Sequence, residues 1–185
     1  MVVQVVAGAL GVGLLLAGCS GDPGSTVLPP LPSTVPAVSV DPSVVPLPPE
    51  AVPETAQGAS AFAKYYFAEV VNAAYLSLDA DLVVELSAPD CNACQNIIGD
   101  IGRLRAAGRT VPGVRFKVQF AEAPAADADG SFVVDLRFSS DPYLETESSG
   151  EVVRRQAAQV NQDAQVRIIR GAKGWSIRGI RTVES

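Results

Sequence analysis

Proline decides where this chain can fold. Ten of its fourteen prolines fall between Pro23 and Pro53. Each fixes φ and removes a backbone donor, so a segment interrupted every few residues builds neither a helix nor an inner strand. Residues 20–57 contain valines but follow neither a 3.6-residue nor a 2-residue period. They read as an extended, polyproline II-like tether. At ~3.1 Å per residue the tether reaches roughly 120 Å, and as a flexible coil it averages nearer ~40 Å. The P-x-x-P pieces at 29–32 and 46–49 could instead bind a partner, but domains that take such ligands are mostly intracellular. The foldable part is then residues 58–185, a stretch of 128 residues, the usual size of one domain.

Ahead of the tether, residues 5–17 are apolar or glycine throughout. That length suits a secretory h-region and falls short of the roughly 20 residues a spanning helix needs. The run ends in Leu16-Ala17-Gly18-Cys19, which matches a bacterial lipobox, where a diacylglycerol is attached to the cysteine sulfur and the chain is cut before it. The expected organisation is a signal peptide over 1–18, a lipidated N-terminus at Cys19 with the tether over 19–57, and a domain over 58–185. A plain secretory signal with a chance cysteine is the alternative. A signal peptide begins with basic residues, yet the first one here is Lys64, so the reading expects a translation start further upstream. Two acyl chains, at ~0.8 kcal/mol per buried CH₂, would anchor Cys19 stably to the membrane. The expected location is the extracytoplasmic face of the cell membrane.

The whole chain carries a formal charge of −6. All fourteen Lys and Arg lie at or after Lys64, with sixteen Asp and Glu over the same stretch (14 − 16 = −2). Without a basic tract, nucleic acid is not an expected partner. The chain has no histidine, which removes Ser-His-Asp and Cys-His catalysis and the commonest transition-metal ligand. No cofactor or metal is expected, and no residue is assigned a catalytic role.

Within the domain, Phe62, Tyr66, Val70 and Ala73 recur at helical spacing and predict a helix over 58–78. A short helix over 81–87 stops before Pro89. Asp90 is then expected to cap a helix over 91–107, with Gly108 at its end. The remainder reads as β. Val114, Phe116, Val118 and Phe120 alternate on one face of a strand over 113–121, and Phe132, Val134, Leu136 and Phe138 do so over 132–138. Residues 143–147 and 151–155 flank Ser148-Ser149-Gly150, a hairpin signal, although 152–159 could also be helical. Residues 165–170 and 175–183 form a clearer hairpin around 171–174, with Trp175, Ile177 and Gly179 on one face. Helices followed by antiparallel strands is an α+β order, packed as a curved sheet over the first helices.

These residues resemble a known family. Ala61-Phe62-Ala63-Lys64-Tyr65-Tyr66-Phe67, Asn72-Ala73-Ala74-Tyr75, Asp79, Ser87-Ala88-Pro89-Asp90-Cys91-Asn92-Ala93-Cys94 and a late Gly174-Trp175 are similar to the actinobacterial lipoproteins of domain of unknown function 6318. The resemblance covers about 54–183, and eleven Arg against three Lys suits a GC-rich genome. It implies a cone-shaped, nuclear transport factor 2-like α+β domain and no established activity.

Cys91-Asn92-Ala93-Cys94 is the one concentrated chemical motif. At a helix start, i and i+3 share a face, and the helix N-terminus lowers a thiol pKa. A structural disulfide between Cys91 and Cys94 suits an oxidising compartment. A dithiol redox site of thioredoxin type is the sharper alternative, but no strand precedes the motif. A metal site would need ligands beyond two cysteines. Cone folds often enclose an apolar pocket, for which Phe62, Tyr65, Tyr66 and Trp175 are the candidate lining. Asp79, Asp81 and Asp100 lie near helix ends, and nothing in the sequence sets one of them opposite Tyr65 or Tyr75. The leading reading is a non-enzymatic, membrane-anchored envelope module that binds a protein or a small apolar ligand. The alternatives are an isomerase or hydratase using the cone pocket, and a thiol oxidoreductase.

Overall fold

The computed structural model describes residues 46–183. Cys19, the apolar run before it and the tether up to residue 45 lie outside the described residues.

The first helical rod is built in three stretches. Helix α1 (Ala56–Tyr65) is capped by Thr55, whose side chain accepts the Gly58 N–H at 3.1 Å. A π-helical turn follows over Tyr66–Val71, and α2 (Asn72–Ser77) ends at Leu78 in the left-handed region, φ 56°. The helix expected over 58–78 is therefore present, with a wider turn inside it. Helix α3 (Asp81–Val84) is shorter than expected, and α4 (Asn92–Ala106) closes at Gly108, φ 62°.

The strands are β1 (Phe116–Glu122), β2 (Phe132–Ser140), β3 (Tyr143–Thr146), β4 (Val152–Gln156), β5 (Gln159–Gly171) and β6 (Gly174–Val183). Four form an antiparallel sheet in the order β1-β2-β5-β6, and β3 and β4 form a separate hairpin. Residues 152–156 are thus strand rather than helix. Register shifts interrupt the pairings of β1 with β2, of β2 with β5 and of β5 with β6; such bulges bend a sheet and turn side chains over. After the shift in β1, Ala121 packs on the core and Phe120 is 46 % exposed. Phe120 therefore leaves the face it was expected to share with Val118. Beyond the shift opposite Arg167, Gly179 pairs with that outward residue and Ile180 with buried Val166. Gly179 thus parts from Trp175 and Ile177.

The helices lie on one face of this sheet, giving the expected α+β arrangement. Phe62, Tyr66 and Val70 from the rod meet Val134, Leu136, Val166 and Ile168 from the sheet, with Ile101 and Leu104 of α4. Each such side chain, fully buried, contributes roughly 1.5–3 kcal/mol. Both sheet edges are tied down locally. Residues Leu86 to Ala88 run beside β6, exchanging two 2.8 Å bonds with Ile177. At β1, the Asn72 carboxamide accepts the Phe116 N–H at 2.8 Å and donates to its carbonyl at 3.0 Å.

The boundary between tether and domain lies earlier than residue 58. Pro49–Ala51 forms a 3-10 turn, Ala51 is fully buried, and its carbonyl accepts the Trp175 indole N–H at 2.5 Å. Residues 49–55, read from sequence as tether, are a strap joined to the domain through buried Ala51, and Ala56 and Gln57 already open α1. Proline density reports missing donors; it does not report whether a small side chain and one carbonyl find a partner.

Candidate functional site

Three of the four residues expected to line a pocket fill the interior instead. Phe62, Tyr66 and Trp175 are at most 4 % exposed. Trp175 lies 6.2 Å from Phe62 and 5.7 Å, edge on, from Phe132. The Tyr66 hydroxyl meets Ser87 Oγ at 3.1 Å, and burial pushes it up to about 12. Their helical and strand spacing is the same for a core face as for a pocket wall, and here it serves the core.

Tyr65 is also buried, 8 % exposed with its ring 6.2 Å from that of Phe62, but it reaches the rim of a different space. It lines an open groove of about 850 Å³ on the outer side of α1, between the strap and the end of β1. Ala56, Ala61 and Ala68 lie along the helix, Pro46 and Pro48 stand on the strap side, and Ala121 and Ala123 on the β1 side. Burial raises the Tyr65 hydroxyl, helped by the charges of Glu69 and Glu85, so it stays protonated. The sequence signal for this surface was the row of small residues at helical spacing, which reads equally as helix packing.

Cys91 and Cys94 are joined, with the sulfurs 2.04 Å apart, and both residues are fully buried. Cys91, not Asp90, is the residue that caps α4: its Sγ accepts the Cys94 N–H at 3.2 Å. Asp90 points outward, 3.6 Å from Arg178. The Cys91 N–H bonds the Ala88 carbonyl, so the bridge fixes the start of α4 beside β6. Thiol exchange needs a thiolate to reach a sulfur, and burial closes that path. In graded thiol buffers the bridge should resist the glutathione pool, with a potential below roughly −300 mV. A potential in the oxidoreductase range with a rapidly alkylated Cys91 would mean a redox site. Replacing both cysteines by serine should cost ~1–3 kcal/mol, since the closed loop is short. Among the described residues, no group of three or more Cys, Asp or Glu is placed to hold a metal ion.

One constellation was not read from the sequence. The Tyr75 hydroxyl donates to Asp100 at 3.2 Å, a pairing that nothing in the sequence had placed. The other Asp100 oxygen accepts two N–H groups of Arg103, which also forks onto Glu145 at 2.8 and 3.2 Å. Arg109 reaches Glu145 at 3.0 Å. Glu145 is only 3 % exposed, and the Arg103 guanidinium, then Arg109, holds its carboxyl below the usual range against the opposing effect of burial. Burial, then Asp100, raises the Tyr75 hydroxyl. A tyrosine beside an aspartate can serve proton abstraction, but here arginine occupies the carboxylate and the set ties α2, α4 and β3 together. Its members lie up to 70 residues apart in sequence (75 to 145), with no spacing to reveal them.

The fold is an α+β domain found also in a protein of distant sequence. The intermembrane space region of the chloroplast protein ARC6 superposes with a TM-score of 0.53 at 10 % identity, covering 70 % of this chain and 97 % of that one. A protein from Catenulispora acidiphila gives 0.41 at 14 % (68 % and 92 % covered). The beta subunit of a putative aromatic-ring-hydroxylating dioxygenase from Novosphingobium aromaticivorans gives 0.36 at 17 % (61 % and 83 %). No curated protein matches the sequence. Residues 35–181 match the model of the Family of unknown function (DUF6318), and the chain belongs to that family. The match begins ahead of the strap, in keeping with the earlier domain boundary.

Proposed function

We propose that this chain is an actinobacterial envelope lipoprotein, anchored through diacylglyceryl-Cys19, whose domain is a non-enzymatic binding module. The observation that carries the binding reading is the contrast between interior and exterior. Phe62, Tyr66 and Trp175 pack against their neighbours inside the fold, whereas an open groove walled by alanines, prolines and Tyr65 and rimmed by charged residues runs along the outside of α1. An isomerase or hydratase working in the cone would need space where these rings lie. The anchoring reading rests on Leu16-Ala17-Gly18-Cys19 at the end of the apolar run. No helix among the described residues is long and apolar enough to cross a membrane. In cells of a related host, a fatty-acid analogue should label the wild-type chain and not Cys19→Ser. The mature chain should lack residues 1–18 by mass. Equal label on both would end the lipoprotein reading.

A further inference from the structure

Three features of the outer groove define what fits it. First, β1 begins the strand order, so one of its backbone edges has no strand beside it. At Phe116 the Asn72 carboxamide fills that edge, satisfying both backbone groups as a neighbouring strand residue would. Further along, the end of β1 brings Ala121 and Glu122 to the groove, and Ala123 just past the strand lines it as well. Second, Ala61 and Ala68 of the opposite wall are small enough to let another backbone come close. Third, three separate elements bring carboxylates to the lining: Glu50 from the strap, Glu69 from the π-helical turn and Glu122 from β1, against one cation, Lys64.

We propose that the groove takes a basic, extended segment of a partner protein. The segment adds along the open part of β1, exchanging backbone hydrogen bonds with it, and sets Lys or Arg side chains against Glu50, Glu69 and Glu122. Lys117 and the bulge after Val118 protect the first half of the edge, as natural sheets do. The docked strand is therefore short, about four residues or ~13 Å. This proposal deepens the binding-module reading and rests on it.

The test uses the full chain in phosphatidylcholine nanodiscs and fluorescein-labelled eight-residue peptides, read by anisotropy. An alternating Ala-Lys peptide should bind saturably, with amide shift changes at Ser60, Lys64 and Ala68. A Pro-Lys peptide keeps the charge but loses half the backbone donors, and an Ala-Glu peptide reverses the charge. Both should bind at least tenfold more weakly. The triple variant Glu50→Gln, Glu69→Gln, Glu122→Gln should lose at least tenfold for Ala-Lys. Asp90→Asn, Asp135→Asn, Glu151→Gln removes equal charge elsewhere and should leave binding unchanged. Absence of Ala-Lys binding, equal binding of Pro-Lys, or equal loss in both triple variants would overturn the proposal. Shift changes confined to residues outside the groove would do so without any variant. Binding of Ala-Glu alone would remove the basic partner while leaving the binding-module reading intact.

Discussion

Gly58→Ala should destabilise the domain by about 3 kcal/mol, a large effect for one added methyl group. Gly58 sits in the first turn of α1, where alanine is ordinarily the better residue by roughly 1 kcal/mol. Here a Cβ would lie 1.9 Å from the Pro53 carbonyl oxygen and 3.0 Å from its carbon. Backbone must move, and overpacking of this kind costs roughly 1–3 kcal/mol. The displaced strap carries Ala51 with it, and losing the buried bond from Trp175 to the Ala51 carbonyl adds about 1–3 kcal/mol. Gly99→Ala and Gly102→Ala, where a Cβ meets nothing within 4 Å, should instead stabilise α4 by roughly 0.5–1 kcal/mol each. Urea unfolding compares the three. Trp175 is the only tryptophan, so red-shifted emission in Gly58→Ala at zero denaturant would report strap release directly. By the same logic, a chain starting at residue 54 should melt several degrees below the full chain, because the strap belongs to the fold.

Arg103→Met should cost about 2–4 kcal/mol. It leaves Glu145, 3 % exposed, with Arg109 alone, and a buried carboxylate stripped of its main partner is expensive. The loss is moderated because the Arg103 side chain is itself 43 % exposed and part of the pair's attraction is screened. Arg103→Met combined with Glu145→Leu should recover much of the loss, since the charge goes with its partner. The same pair sets an acid response. The carboxyl of Glu145 is held below its ordinary 4.5 by Arg103 and Arg109. Its contribution is thus complete above that value and is lost as the pH falls through the lower folded value. Stability should therefore decline below about pH 4.5, and the decline should be shallower in Glu145→Gln. Equal slopes in the two chains would contradict this account of the network.

Periodicity carried much of the fold. Phe62, Tyr66 and Val70 at spacings of four, and Phe132, Val134 and Leu136 at spacings of two, each mark one buried face. What periodicity could not carry were the places where the chain breaks its own period. Phe120 continues the alternation of β1 in sequence, but one extra residue at the bulge turns it outward. The π-helical turn leaves the Ala68 carbonyl to the Asn72 side chain, and no composition announces that. The strap was hidden by its prolines, and the reason for Gly58 by a carbonyl five residues earlier. Cys91 and Cys94 were legible as a pair because three residues in a helical turn bring two sulfurs together. Tyr75, Asp100, Arg103 and Glu145 were not, because only the tertiary fold brings them together.

If partners meet this protein at the outer groove of a membrane-anchored domain, site-specific photo-crosslinking in intact cells should show it, with the reactive group at Ser60 in the groove or at Gln165 on the outer face of the sheet. Ser60 should give a discrete protein adduct and Gln165 none, and the Ser60 adduct should be lost when Cys19→Ser removes the anchor. An adduct from Gln165 alone, or a Ser60 adduct unaffected by Cys19→Ser, would rule this out.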